Sequence, residues 1–380
     1  MNAWRDRIQP QPMFDVLAMA NARESEGHYV ARMEIGDTPG FRNAHIHDFI
    51  QQRASSPFRY SPSQGEKYLI NKVIESQWPN CTQEQIVIGP ANFLITAALA
   101  SKTTPGDTVL LPDPGFATYK LAAKFLGLHI QYYPVYQNGI SEFPNLTEFV
   151  MNLQVRPSVV IVNNPSNPLG VAMDGSNIWN GLHGLIDLGT DIIIDETYVN
   201  LVYDETKTAI PLLPATRLRS FSKEHCAPGL RVGYATSDNE ATKAMSDLMS
   251  LTISCVPQFI QLAVADYLGS QESKEFTSRI RKTMGQRLEF LKNCLPAGVL
   301  QTTPNAGFYA LIDVGERGGE AAFSFLLERN VSTCPGSKFG KNSENSIRVS
   351  LAGPENNFEE DIEMLTAALS EWEGANPRFH

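Results

Sequence analysis

From about residue 84 the sequence alternates between short apolar runs and helical patterns. QIVIG (85–89) precedes NFLITAALAS, and DTVLLPD (107–113) precedes FATYKLAAKFLG. HIQYYPV (129–135) precedes LTEFVMNL, and SVVIVNN (158–164) precedes NIWNGLHGLIDL. DIIIDE (191–196) closes the series. Short β-rich runs separated by helices read as βαβ units with a parallel sheet. The runs are apolar throughout, as strands buried on both faces require. LRSFS (218–222) and LRVGYATS (230–237) extend the sheet, and a long helical region is expected from Asn239 to about Leu291.

From Pro296 the pattern changes. GVLQTT, GFYALIDV, a helix near 319–329, NSIRVSL and a helix near 355–373 predict a smaller α+β domain. Residues 1–40 show no βαβ pattern and are expected to pack beside it. The expected architecture is α/β: a large domain with a mostly parallel sheet sandwiched by helices, plus a smaller α+β domain built from both termini. The expected boundaries are 1–44, 45–292 and 293–380. A length of 380 residues suits this division.

Composition narrows the function classes. Hydrophobic residues at 42% and charged residues at 19% permit a large core and exclude disorder as a whole-chain description. The net charge is −10 without a Lys/Arg run, which argues against nucleic acid. The longest apolar stretches, such as Phe93 to Ala100, fall far short of the ~20 residues a membrane helix needs. The N-terminus lacks an apolar signal core. Cys81, Cys226, Cys255, Cys294 and Cys334 are scattered and suggest no metal site. A cytoplasmic, reduced protein without a metal is expected.

In open α/β sheets, ligands sit outside the carboxyl ends of the strands. Three strand ends here carry different chemistry: NPSNPLG after Asn163, ETY after Asp195, and Ser222-Lys223 after LRSF. Taken alone, Asp195 reads better as an N-cap, and Lys223 reads better still as a surface lysine lying along apolar groups. Asp195 buried as a carboxylate would need a positive partner. Lys223, if desolvated, would be a nucleophile for carbonyls.

Read together, residues 220–234 settle on one pattern. Ser220, Ser222, Lys223, Gly229, Arg231 and Gly233 resemble the S-x-S-K-(x)5-G-x-R-x-G signature of fold type I pyridoxal-phosphate enzymes, the class I/II aminotransferase family. NPSNPLG, DETY, DPGFATY, YSPSQG, NAGFY and NSIRVS resemble that family's further motifs in order, across roughly residues 34 to 370. The resemblance implies pyridoxal 5'-phosphate held as a Schiff base on Lys223. It implies Asp195 facing the ring nitrogen, Asn167 and Tyr198 at the ring's phenolic oxygen, and Phe116 stacked on the ring. The phosphate would be bound by Ser220, Ser222, Arg231 and the backbone amides of Ala91 and Asn92. Tyr60 would reach the phosphate of a neighbouring subunit. Arg348, Gly36 and Asn167 would hold the substrate. The expected partners are a small amino acid and a second copy of the chain, with active sites shared in a homodimer.

The sequence also departs from the family. Leu169 stands where a threonine is usual, and Pro90 opens the phosphate turn without an N–H. GDTPGF (36–41) replaces a common G-E-P-D-F. His225, two residues after Lys223, reads as a second proton carrier or as a polar residue filling the turn. The expected reaction is transamination between an L-amino acid and a 2-oxo acid. The alternative is elimination and ring closure on a guanidino amino acid, as in capreomycidine-synthase-type cyclases. The acids Glu24, Glu26, Glu34 and Asp37 of the N-terminal arm would suit a cationic side chain.

Overall fold

A computed structural model describes residues 5–38, 41, 43–55, 59–135, 143–204, 207, 209–354 and 356–373. Pro39 and Gly40 of GDTPGF lie outside the described residues. In chain order the strands are β1 (Ala31–Arg32), β2 (Ile86–Gly89), β3 (Thr108–Asp113), β4 (His129–Pro134), β5 (Val159–Asn163) and β6 (Asp191–Asp195). There follow β7 (Thr216–Ser220), β8 (Gly233–Thr236), β9 (Tyr309–Asp313), β10 (Val331–Ser332), β11 (Cys334–Pro335) and β12 (Ser346–Ser350).

Seven strands form the main sheet in the order β2-β8-β7-β6-β5-β3-β4. The pairs from β4 through β7 are parallel, and β8 runs antiparallel to both its neighbours. Successive strand residues point to opposite faces, and here both faces are cores. Ile161, Ile193 and Leu218 pack with Leu94 and Ala98 of the helix Ala91–Lys102. Val160, Val162, Ile192 and Ile194 pack with Ile178, Leu182 and Leu185 of the helix Gly175–Asp187. This double burial explains why the runs lack polar alternation.

Two expectations shift. The run read as a strand over 218–222 is a strand over Thr216–Ser220, and Phe221–Glu224 turns into a short helix. The Ser220 side chain caps that helix by accepting from the Ser222 amide, so Lys223 leaves the sheet on a helical turn. The long helical region after Asn239 is three helices, Asn239–Thr252, Gln258–Leu268 and Gln271–Cys294. Pro257 and Ser270 begin the second and third, since proline suits a helix start and serine caps one.

Both termini build the smaller domain. β11, β12 and β9 form an antiparallel sheet, and β1 pairs in parallel with β10. Helices Gln271–Cys294 and Phe358–Glu373 supply Leu288, Leu291, Leu365 and Leu369 to the core beside Ile312, Ile347 and Val349. The helix Pro12–Ser25 docks through Val16 against Phe323 and Leu327. Among the described residues no helix is long and apolar enough to cross a membrane. No group of three His, Cys, Asp or Glu among them could hold a metal ion.

Candidate active site

β5, β6 and β7 are adjacent and parallel, so their carboxyl ends share one edge. Asn163 lies in register with Asp195, and Ser220 lies two residues beyond the partner of Asp195. A cavity opens there. It is lined by Asn167, Asp195, Tyr198, Ser220, Ser222 and Lys223 from these strand ends. Ala91, Asn92, Phe116, Arg231 and Gly36 close it from other segments.

Asp195 lines the cavity and is buried. Its Oδ2 accepts from the Tyr119 hydroxyl at 2.7 Å. Its Oδ1 accepts from the Thr197 amide at 3.0 Å and the Thr197 hydroxyl at 2.6 Å. No Lys, Arg or His among the described residues forms an ion pair with it. Burial raises its pKa, the bonds from Thr197 and Tyr119 pull it back, and neighbouring Glu196 pushes it up again.

Lys223 projects from the short helix after β7, and its Nζ donates to the Gly36 carbonyl at 2.7 Å. Close packing by Tyr309 and Phe308 explains the glycine: a Cβ at position 36 would lie 1.9 Å from the Tyr309 hydroxyl oxygen. Tyr198 is buried between Phe308 and Tyr309, and burial, then Tyr309, holds its phenol well above the usual range. Asn167 is fixed by its amide bond to Asn163 Oδ1 at 2.8 Å.

The cavity lining also holds a set of donors. The helix Ala91–Lys102 begins without a side-chain cap, leaving its first amides directed outward. Ser220, Ser222 and Arg231 join them. Arg231 adopts a left-handed backbone (φ 56°), and its Nη1 bonds only the Pro228 carbonyl at 2.8 Å, with no carboxylate partner among the described residues. The cavity lining therefore combines a carboxylate that has no cationic partner with an arginine that has no carboxylate partner among the described residues. A ligand with a protonated ring nitrogen and a phosphate satisfies both, which is the charge pattern of pyridoxal phosphate.

Three expected residues stand apart from the cavity lining. Arg348, on β12, is fully buried. Its Nη1 donates to Asn167 Oδ1 at 3.0 Å and its Nη2 to the Glu34 carbonyl at 2.7 Å, while Nε has no partner. The guanidinium lies 4.0 Å from the Tyr309 ring centroid, and Met13 Sδ lies 3.7 Å from Nη2. It touches the site through Asn167 and meets no carboxylate among the described residues. Tyr60 is 88% exposed on the single chain. His225 is buried against Phe221, Tyr267 and Glu224, so the proton-carrier reading lacks contact with the cavity.

The acidic arm also differs from expectation. Glu24 and Glu34 pair with Arg32 at 2.8 and 2.7 Å, and Glu26 pairs with Arg23 at 3.1 Å. Asp37 accepts from the Thr38 amide at 2.8 Å. Arginines of the chain neutralise three of these acids, and none of the four lines the cavity. Sequence reasoning missed Tyr119 and Thr197 as the supports of Asp195. Both lie inside quoted motifs, Tyr119 three residues after Phe116 on one helical face. It also missed Gln11, Met13 and Phe14, which reach the cavity from the N-terminal arm and carry no signal in the sequence.

The pattern that defines aminotransferase class I and II matches residues 39–365. A relative from Methanocaldococcus jannaschii, (5-formylfuran-3-yl)methyl phosphate transaminase, is 30% identical over 94% of this chain and 96% of its own. A probable aspartate/prephenate aminotransferase of Aquifex aeolicus is 26% identical over 96% and 97%. The solved aspartate aminotransferase of Thermus thermophilus with maleate superposes with a TM-score of 0.89, covering 97% of this chain and 99% of its own, at 20% identity. The chain belongs to the class I and II aminotransferase family. It is an aminotransferase that depends on pyridoxal phosphate.

Proposed function

We propose that this transaminase acts on an L-amino acid through Lys223, Asp195 and Arg348. The observation that carries the reading is the pair of unneutralised groups in one cavity lining: the Asp195 carboxylate and Arg231, with Ser220, Ser222 and the first amides of the helix Ala91–Lys102 beside it. Pyridoxal phosphate supplies, when bound, an aldehyde carbon for the amino group and a ring that takes up electrons as the Cα–H bond breaks. Ser220, Ser222, Arg231 and the amides of Ala91 and Asn92 hold the phosphate. Phe116 packs on the ring. Asp195 keeps a proton on the ring nitrogen; a charge pair at ~4 Å and an effective dielectric of ~20 is worth about 4 kcal/mol before desolvation. Asn167 and Tyr198 hydrogen-bond the ring oxygen. Arg348 would grip the α-carboxylate as a two-pronged donor, its Nη groups exchanging the Asn167 and Glu34 oxygens that hold them for those of the substrate, and Gly36 would border it. Lys223 Nζ would take the α-proton and deliver it to the cofactor's former aldehyde carbon, on the far side of the substrate nitrogen.

The exposed Tyr60 supports a homodimer in which each chain completes the other's phosphate site. A cytoplasmic enzyme and the division at residues 44 and 292 belong to the same reading. The relatives named above are transaminases, and the pairing of Glu24, Glu26 and Glu34 with arginines removes the feature that suited a cationic, ring-closing substrate. The test is a half-reaction. Cofactor-loaded protein mixed with single L-amino acids should lose its visible absorbance and recover it on adding a 2-oxo acid. Turnover without any acceptor, or no visible band on loading, would overturn the reading.

A further inference from the structure

Directly after Lys223 the chain buries two titratable side chains outside the cavity. Glu224 and His225 are 5% and 4% exposed. Their side chains approach each other, His225 Nε2 lying 3.2 Å from Glu224 Oε1 without a hydrogen bond between them. The other oxygen, Glu224 Oε2, accepts from Asn200 Nδ2. Asn200 stands in the turn Val199–Leu201, two residues after Tyr198. Lys223 and Glu224 are neighbours on a single helical turn, yet Lys223 reaches toward Gly36 while Glu224 reaches toward Asn200.

A carboxylate in such a place needs a reason. Burial alone pushes its pKa up, but His225, Asn200 and Arg219 hold it below the usual carboxylate range. Glu224 is therefore a charge kept inside the protein by partners from three segments. Outside the pair itself, the groups that face it are Arg219 on β7, Asn200, Tyr267 and Thr277. The His225 carbonyl is in turn held by Asn43 Nδ2 at 3.1 Å, at the start of the helix Ala44–Ala54. None of these contacts touches the cavity.

Resting on the reading of Lys223 and Tyr198 above, we propose that Glu224 is a positioning residue: through Asn200 it ties the turn that carries Lys223 to the turn that carries Tyr198. Both turns follow parallel strands but have no backbone ladder between them, because β6 ends at Asp195 and β7 at Ser220. The Glu224–Asn200 bond is the side-chain link that bridges the two turns. It sets the separation between the amine that carries the proton and the phenol that faces the cofactor oxygen. A misplacement of ~1 Å at such a pair can cost about 100-fold in rate.

The experiment compares cofactor-loaded wild type with Glu224→Gln, Glu224→Ala and Asn200→Ala. It records kcat, KM, the melting temperature and the pH midpoint of the visible absorbance band of the resting enzyme. Positioning predicts that Glu224→Ala and Asn200→Ala each lower kcat about 10- to 100-fold with KM within about twofold. Each should also shift the absorbance midpoint, by the same amount alone and combined. Glu224→Gln, which keeps the oxygen facing Asn200, should shift it less. Asn200→Ala carries the test if the Glu224 variants do not fold. Borohydride reduction and peptide mapping separate the two readings. An adduct on Lys223 with unchanged kcat and midpoint in the variants overturns the positioning role alone. An adduct on another residue overturns both.

Discussion

The Tyr119 hydroxyl donates a 2.7 Å hydrogen bond to Asp195 Oδ2, across 76 positions of sequence. A phenol from the helix Ala117–Leu126 thereby holds a carboxylate at the end of β6. Burial raises the pKa of this phenol far above its usual range, with the charge of Asp195 adding to it, so Tyr119 remains a donor at any working pH. Tyr119→Phe should cost about 1.5–3 kcal/mol of stability, the range for a hydrogen bond to a charged group. It should lower kcat more than it raises KM. Thermal melts and steady-state kinetics of the same preparations check this.

Asp195 also dictates a pH effect. Its pKa is raised in the folded protein, chiefly by burial. The folded state then holds this proton to higher pH than the unfolded chain does. Stability conferred by the protonated group is present below the ordinary aspartate pKa and is lost as pH rises through the raised value. Asp195→Asn should therefore raise the melting temperature of cofactor-stripped protein at neutral pH, by about 1 °C per kcal/mol relieved in a chain of 380 residues. The same substitution should remove most of the activity of the loaded enzyme. A melting temperature lower than wild type across the pH range would contradict the account.

Arg348 is buried, offers an unpartnered Nε and stacks on Tyr309. Arg348→Ala should weaken substrate capture by about 2–5 kcal/mol, the cost of truncating a buried charged partner. The loss should appear in kcat/KM for every amino acid alike. Cofactor retention, followed by visible absorbance after dialysis, should change little.

Gly36 faces the Tyr309 hydroxyl and accepts from Lys223. Gly36→Ala forces its Cβ against Tyr309 and Phe308, which lie at 1.9 and 2.9 Å from the ideal position. Overpacking of this kind costs about 1–3 kcal/mol. Urea unfolding should show a lower midpoint with an unchanged slope.

Tyr60 gives a test of shared sites. Lys223→Ala and Tyr60→Ala proteins should each be inactive or weak alone. Mixed and allowed to exchange subunits, they should form hybrid dimers with one native site, and activity should return. No recovery on demonstrated exchange would contradict a tyrosine acting across subunits.

The sequence alone determined the layered α/β plan, because strands buried on two faces leave uninterrupted apolar runs such as Ile192–Ile194. It also pointed to Asp195, Lys223, Ser220 and Arg231, since each stands in a short motif whose spacing survives without knowledge of the fold. It misjudged where β7 ends, because the Ser220 cap is a local hydrogen bond that the residue pattern does not reveal. The breaks after Thr252 and Leu268 were hidden by residues that read as helical on either side. What only the tertiary structure decided are the partners far apart in sequence. Tyr119 meets Asp195, Met13 approaches Arg348, and Glu224 turns away from the cavity toward Asn200. Those contacts follow from how the strands are ordered and how the N-terminal helix docks. Short-range periodicity carries information about one element's faces, and none about which distant side chain each face will meet.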